Sequence, residues 1–384
     1  MKMKIAYIST SLPMECGIAT FNANLAIAIN QHDAISKDSF VIALSDAEDL
    51  KTYHYPKEVK YIIRQNNQKD YLRAANYINT SQVDACVIEH EFGIYGGESG
   101  LYLLTLMARI NKPIITILHT VLKQPNYIQQ TIIQQIAKRS ANIVVMSQKA
   151  IGFLTSIYQV PKEKIKYIEH GVPDLEPSTH NPIKAAYPFK DNKVLLTFGL
   201  ISRGKGLETV VEALPQIVKN HPNAVYVVLG NTHPGVVKSA GEEYRDSLKR
   251  LAKKLNVENH LVFVNKFVDE NELYQYLSAT DVYITPYLNE AQITSGTLSY
   301  AIGAGAAVVS TPYWHAQELL ANERGKLFDF GNHIQLAEIV NELLIDDIAL
   351  KKIKKNAFDY GLNLRYPKIG KLYTNLLKDL VAEN

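Results

Sequence analysis

The sequence predicts an α/β chain built as two doubly wound domains, and three observations carry that expectation. Short β-branched apolar runs alternate with longer stretches of helical period. The runs lack strict in–out alternation, as strands covered on both faces of a parallel sheet do. The rhythm stops once, at a proline-rich segment, and then restarts. In the first half, strands are expected at 4–9, 40–44, 59–63, 85–90, 114–119, 143–147 and 166–169, with helices at 19–30, 100–110 and 127–140. Residues 170–182 place Pro173, Pro177 and Pro182 among polar residues and read as a linker. Beyond it, strands are expected at 193–198, 225–229, 261–264, 282–285, 307–310 and 326–330. Helices are expected at 206–219, 242–255, 270–279, 297–304 and 333–344. The tail from 367 to 380 is amphipathic, with Ile369, Leu372, Tyr373, Leu376, Leu377 and Leu380 on one side. Two α/β halves joined by such a hinge predict a cleft between domains, the usual place for a ligand.

Composition narrows the class of function. Across 384 residues, 47% hydrophobic and 21% charged content excludes wholesale disorder. A net charge of +3, from 41 basic and 38 acidic residues, is too balanced to announce a nucleic-acid partner. Cys16 and Cys86 make no disulfide framework, and without CxxC spacing no metal site is expected, which points to a reducing compartment. The start, MKMKIAYIST, is strand-like rather than a signal peptide. No apolar run reaches the roughly 18 residues that cross a bilayer. A soluble cytoplasmic protein is expected. The run Lys351, Lys352, Lys354 and Lys355 offers peripheral contact with acidic lipid, but a solvated helix face is the simpler reading, since bulky apolar neighbours are missing.

In open α/β sheets ligands bind beyond the carboxyl ends of the strands, so the residues just after each run matter most. After the first strand, Gly17 stands at a helix entrance, where free amides favour an anion; a plain turn residue is the other reading. The strand from Ala85 runs into Glu89-His-Glu-Phe-Gly-Ile-Tyr-Gly-Gly. There Glu91 can orient a sugar hydroxyl, act as a base, or serve as a cap. His119 ends the next strand, as a ligand contact or a structural histidine. In the second half, Thr197-Phe-Gly-Leu-Ile-Ser-Arg-Gly-Lys-Gly delivers Arg203 and Lys205 through a glycine-rich turn to a helix start. Fixed cations beside free amides are what a departing diphosphate needs. The segment is neither a Walker loop nor a Rossmann GxGxxG. Later, Glu290 enters a loop in which Thr294, Ser295, Gly296 and Thr297 lead into a helix of small residues, whose amides suit a second face of the same diphosphate.

Taken together the chain resembles the family 4 (group 1) glycosyltransferases of the GT-B fold, which has two facing Rossmann-like domains with a nucleotide-sugar between them. The resemblance rests on Gly17 after the first strand, His119, the phrase HGVP at His170–Pro173, the segment Gly199 to Gly206 matching G-R-L-x-x-x-K-G, and a closing helix. It implies an acceptor-side domain at 1–175, a nucleotide-sugar domain at 183–362, and a last helix, 367–384, returning to the first. Two departures stand out. The family arginine falls on Leu200, leaving Lys205 in register and Arg203 as a substitute. The Glu-x7-Glu pair is altered: Glu290 takes the first place and Tyr300 the second. A phenol cannot accept two ribose hydroxyl bonds as a carboxylate does.

The resemblance implies a retaining, metal-independent hexosyltransferase without a cofactor. Its partners would be a GDP- or UDP-sugar, with mannose a guess, and a glycan or small-molecule acceptor. Lys205, Arg203 and the amides beyond Ser295 would neutralise the leaving group. Glu290 would hold sugar hydroxyls, His119 the sugar near the reacting carbon, and Glu91 the acceptor. Thr232-His-Pro and Asn265-Lys-Phe are expected to line the base pocket. Closure about Pro173–Pro182 would exclude water. A glycoside phosphorylase on the same scaffold and a catalytically silent sugar- or nucleotide-binding protein are the alternatives.

Overall fold

The computed structural model describes residues 2–176, 181–186 and 188–382. Pro177 to His180 of the expected linker, and the last two residues of the expected closing helix, lie outside the described residues. The chain divides into two compact units: Met1–Gly171 with Tyr366–Asn384, and Val172–Arg365.

The first unit runs β1 (Ile5–Thr10), α1 (Gly17–Asn30), β2 (Phe40–Ser45), β3 (Val59–Arg64), α2 (Gln68–Thr80), β4 (Ala85–His90), α3 (Tyr102–Met107), β5 (Ile114–Leu118), α4 (Tyr127–Arg139), β6 (Asn142–Val145), α5 (Gln148–Ser156) and β7 (Ile165–Tyr167). Its seven strands are parallel in the order β3-β2-β1-β4-β5-β6-β7. Side chains alternate across the sheet. Ile5, Tyr7, Val87, Ile115 and Ile117 therefore join Phe21 and Leu25 of α1 in one core, while Ile8, Ile42 and Ile88 are buried at the intervening positions. Burial on both faces explains why the strands read as continuous apolar runs.

The second unit runs β8 (Lys193–Phe198), α6 (Leu207–Asn220), β9 (Ala224–Leu229), α7 (Pro234–Ala240), α8 (Glu243–Lys254), β10 (Leu261–Val264), α9 (Glu270–Ala279), β11 (Val282–Thr285), α10 (Gly296–Gly303), β12 (Val308–Ser310), α11 (Trp314–Leu319), β13 (Gly325–Leu327), α12 (His333–Ile345) and α13 (Asp347–Gly361). Six parallel strands take the order β10-β9-β8-β11-β12-β13. Leu195 faces a core shared with α6, α8 and α12. Val194 and Leu196 face another, shared with α9, α10 and α11. The last helix, α14 (Tyr366–Ala382), belongs to the first unit.

Several expectations are corrected. Helices α2, α5, α7 and α11 were not anticipated, α13 was expected only as a helix face around the lysine run, and the helix expected at 100–110 shrinks to α3, preceded by a 3₁₀ turn at Glu98–Gly100. The strand expected at 326–330 ends at Leu327. On α14, Leu372 is 49% exposed, and at Gly370 a Cβ would stand 2.7 Å from the Ala28 main chain of α1. The lysine run is not a uniform solvated face: Lys354 turns inward to donate to the Thr280 carbonyl at 2.9 Å, Lys352 pairs with Glu323 and Lys355 with Asp359. Among the described residues no helix is long and apolar enough to cross a membrane.

Candidate active site

Each sheet reverses its strand order once, and that is where a doubly wound unit opens a crevice at its carboxyl edge. In the second unit the reversal lies between β8 and β11, which pair directly. The chain leaves β8 through Gly199 and reaches α6 through Gly206 at φ +62°; a Cβ there would sit 2.2 Å from the Pro286 carbonyl oxygen. Only glycine lets this turn lie so close to the segment after β11.

That closeness sets up a hydrogen-bonded chain. Lys205 Nζ donates to Tyr287 Oη at 2.8 Å and lies 4.0 Å from the centre of that ring. Tyr287 Oη is 2.8 Å from Thr297 Oγ1, which is 3.1 Å from Ser295 Oγ. Ser295 caps α10, accepting the Leu298 N–H at 3.3 Å, and its own N–H donates to His315 Nδ1 at 2.9 Å. The amides of Gly296 and Thr297 are left without an intrahelical acceptor. A cation and the positive end of a helix thus stand together at one crevice, an arrangement suited to an anion.

Other expected residues are placed differently. Arg203 has a partner of its own: its guanidinium donates to Glu243 Oε1 at 2.5 Å and lies over Tyr244, in an exposed pair. Glu290 is exposed, and its carbonyl accepts the Trp314 N–H at 3.0 Å. The Thr294 carbonyl accepts from Gln292. Tyr300 Oη donates to Glu270 Oε1 at 2.5 Å, beside a small cavity lined also by Tyr274 and Leu277. A carboxylate therefore stands next to the phenol, carried by α9 instead of α10. Of the expected base-pocket residues, Thr232 is taken by Glu242 and Arg245, Lys266 pairs with Glu272, and Phe267 is exposed.

In the first unit the reversal lies between β1 and β4. Gly17 is the first residue of α1, whose cap residue Cys16 makes no side-chain capping bond. Beyond its chain neighbours and its own helix backbone, no atom of the described residues lies within 4 Å of the place a Gly17 Cβ would take. Packing therefore does not demand glycine here, and the bare position leaves the helix amides open. Glu91 caps the 3₁₀ turn Phe92–Ile94, accepting from the Phe92 N–H at 2.9 Å and from Thr120 Oγ1 at 2.5 Å. His119 lies just beyond β5; its N–H donates to the His90 carbonyl at 3.0 Å, and its Nε2 is 2.8 Å from Glu89 Oε2. Phe21 packs edge-on against the imidazole with ring centres 5.0 Å apart. Glu89 is fully buried, which pushes its carboxyl above the usual carboxylate range, while the hydrogen bond with His119 pulls it back.

Sequence reasoning gave no role to Tyr287, Glu270 or His315, and named Glu89 only within the polar run after its strand. Glu89 was legible in principle: strand alternation sets it on the same side as Glu91 and opposite to His90. Tyr287 directly follows the Pro286 that ends β11. Glu270 and His315 reach their partners only through tertiary packing. Among the described residues no three or more His, Cys, Asp or Glu side chains are gathered as a metal ion would need.

Comparison with known proteins places the chain among relatives. Residues 181–360 match the model of the glycosyl transferases group 1 family. A glycosyltransferase of Methanocaldococcus jannaschii is 26% identical over 192 residues, 48% of this chain and 45% of that protein. The GDP-mannose-dependent α-(1-6)-phosphatidylinositol monomannoside mannosyltransferase of Mycobacterium tuberculosis is 25% identical over 198 residues, 48% of each chain. The match therefore spans about half the length of these curated relatives. Among solved structures, Anabaena HepE in complex with UDP superposes with a TM-score of 0.76 at 18% identity, covering 98% of this chain and all of that one. Residues 181–360 thus belong to the group 1 glycosyltransferases, within a chain that has the GT-B fold.

Proposed function

We propose that the protein is a glycosyltransferase that moves a hexosyl group from a nucleoside-diphosphate sugar to a hydroxyl acceptor, with retention and without a metal ion. The observation that carries the reading is Lys205, held by Tyr287 beside the open amides of α10. As the glycosidic C–O bond breaks, its electron pair leaves with the diphosphate. The ammonium and the helix end offset the charge that develops there. The acceptor oxygen bonds to the anomeric carbon from the face the diphosphate leaves, and its proton passes to the departing phosphate oxygen. His119 and Glu91 are assigned to hydroxyls of the sugar substrates, Glu290 to the donor sugar, and Gly17 and Thr297 to phosphate oxygens. Arg203, committed to Glu243, is left a supporting part, holding the turn that carries Lys205. Tyr300 with Glu270 is assigned to the ribose.

The relatives support a nucleoside-diphosphate donor: one is named for GDP-mannose, and HepE was solved with UDP and with UDP-glucose. The test is transfer from GDP-, UDP- and ADP-sugars in excess EDTA by wild type and Lys205→Ala. Wild type is expected to keep its activity with the chelator. The variant is expected to lose about a hundredfold or more, as for removal of one oxyanion-stabilising donor, with its melting temperature within a few degrees. Undiminished turnover by Lys205→Ala, or loss of wild-type activity in EDTA, overturns the reading.

A further inference from the structure

The Glu89–His119 pair is built for more than packing. Glu89 lies in the middle of the sheet, in register with Ile117 of β5, and is 0% exposed. Its Oε2 meets His119 Nε2, but its Oε1 has no hydrogen-bond partner among the described residues. Tyr95 Oη donates to the Glu89 backbone carbonyl at 2.5 Å, so the main chain beneath the carboxylate is pinned as well. A carboxylate buried with one oxygen unpaired costs stability that an apolar residue at the same place would not. The imidazole it meets is fixed on its edge by Phe21, and the side chain is 10% exposed. Its Nδ1 makes no hydrogen bond among the described residues.

We propose that Glu89 is a positioning residue whose carboxylate accepts the Nε2–H of His119, leaving Nδ1 as the ring's acceptor for a hydroxyl of the bound sugar. A histidine nitrogen accepts only when the proton sits on the other one, and which tautomer forms is set by the partner of that other nitrogen. With Nε2–H spent on Glu89, Nδ1 can receive a sugar O–H and cannot donate. The pair then discriminates by hydrogen-bond polarity: a hydroxyl is accepted, and a bare ether or carbonyl oxygen at that place is not. The inference rests on the reading of His119 as a sugar contact.

The experiment uses the full chain and three measurements. Histidine ¹⁵N spectra of wild type, with His119 assigned by its disappearance in His119→Ala, are expected to show Nδ1 unprotonated at neutral pH. Glu89→Gln, of nearly the same shape, is expected to lower kcat/KM by about 10- to 100-fold, the range seen for carboxylates that orient metal-ligating histidines and taken over here by analogy. The same variant should melt at or above the wild-type temperature, because it removes a buried charge, whereas a purely structural carboxylate would lower it. A protonated Nδ1 in wild type overturns the proposal without any variant having to fold. So does Glu89→Gln with wild-type turnover. His119→Ala with undiminished transfer would remove the sugar-contact reading and the hydroxyl recognition built on it, while the tautomer spectrum, recorded without substrate, separately tests whether Glu89 sets the ring's proton.

Discussion

Two buried histidines make the first unit sensitive to acid. His90 is fully buried with neither ring nitrogen hydrogen-bonded among the described residues, and burial pushes it down to about 3. His170 is likewise pushed down to about 4. In the unfolded chain both titrate near pH 6.5. Between that value and the folded ones the unfolded state binds the extra protons, so stability is lost as pH falls below about 6.5, by about 1.4 kcal/mol per pH unit for each histidine. Glu89 acts with the opposite sign: its raised carboxyl stabilises the fold as pH falls, and one group offsets only part of two. The expected outcome is a melting temperature that drops several degrees from pH 7.5 to pH 5, with the slope reduced in His90→Leu. A flat profile would falsify the assignment. Candidate residues could be named from the sequence, and their partners could not. Lys205 was singled out for its turn, yet what aims it is a tyrosine 82 positions away. Arg203 carried the same signal and is spent on Glu243, because α8 brings an acid to the turn and nothing in the local sequence announces that. Glu91 caps the turn at Phe92, a bond its own sequence neighbourhood announces, and its substrate role stays with the proposal.

Helix packing turns on small residues, and there two glycines make opposite predictions. Gly370 lies mid-helix in α14, where alanine is intrinsically better by about 1 kcal/mol. A Cβ at that place, however, would come within 2.7 Å of the Ala28 main chain on α1. Backbone cannot swing aside as a side chain can, so the helices must separate, at about 1–3 kcal/mol. Gly370→Ala is therefore expected to destabilise despite its propensity. Gly152, mid-helix in α5, has nothing within 4 Å of its virtual Cβ, so Gly152→Ala is expected to stabilise by about 0.5–1 kcal/mol. Urea titrations of the two variants check the pair, and matching signs would refute the packing argument. The same feature explains which elements were legible. Most strand positions read within a residue or two because the central strands are apolar on both faces, and the edge strand β13, only partly covered, is the one that ends three residues early. Helix α2 was missed although Tyr71 and Ile78 are buried on it beside Ala74 and Ala75, whereas α5 buries only Ala150 and Leu154. Small side chains give a weak period while packing well. The amphipathic tail was found from its large residues, one of which, Leu372, is largely exposed.

The order of the chain and the order of its units disagree, and that has a measurable consequence. The helix α14 follows the whole second unit in sequence yet completes the first. Tyr366, Ile369, Tyr373, Leu377 and Leu380 are buried there, in the same core as Ile5, Tyr7, Phe21 and Leu25. At about 1.5–3 kcal/mol for each large apolar side chain, losing these five costs as much as the 5–15 kcal/mol by which a domain is usually stable. The second unit has its own two cores, in which no residue of α14 takes part. Its crossing points are tied within itself: the Val172 N–H donates to the Leu364 carbonyl at 2.9 Å, and Arg365 pairs with Asp174 and Glu176. A chain ending at Arg365 is thus expected to lose the first unit and keep the second. Limited proteolysis with mass spectrometry would show rapid cleavage within residues 1–171 and a protected fragment close to 172–365. That fragment should still gain thermal stability from a nucleoside diphosphate, since Lys205, Tyr287 and the start of α10 all lie in it. A truncated chain that resists protease over its first 171 residues would mean that the five side chains are dispensable and that the first sheet is closed by α1 alone.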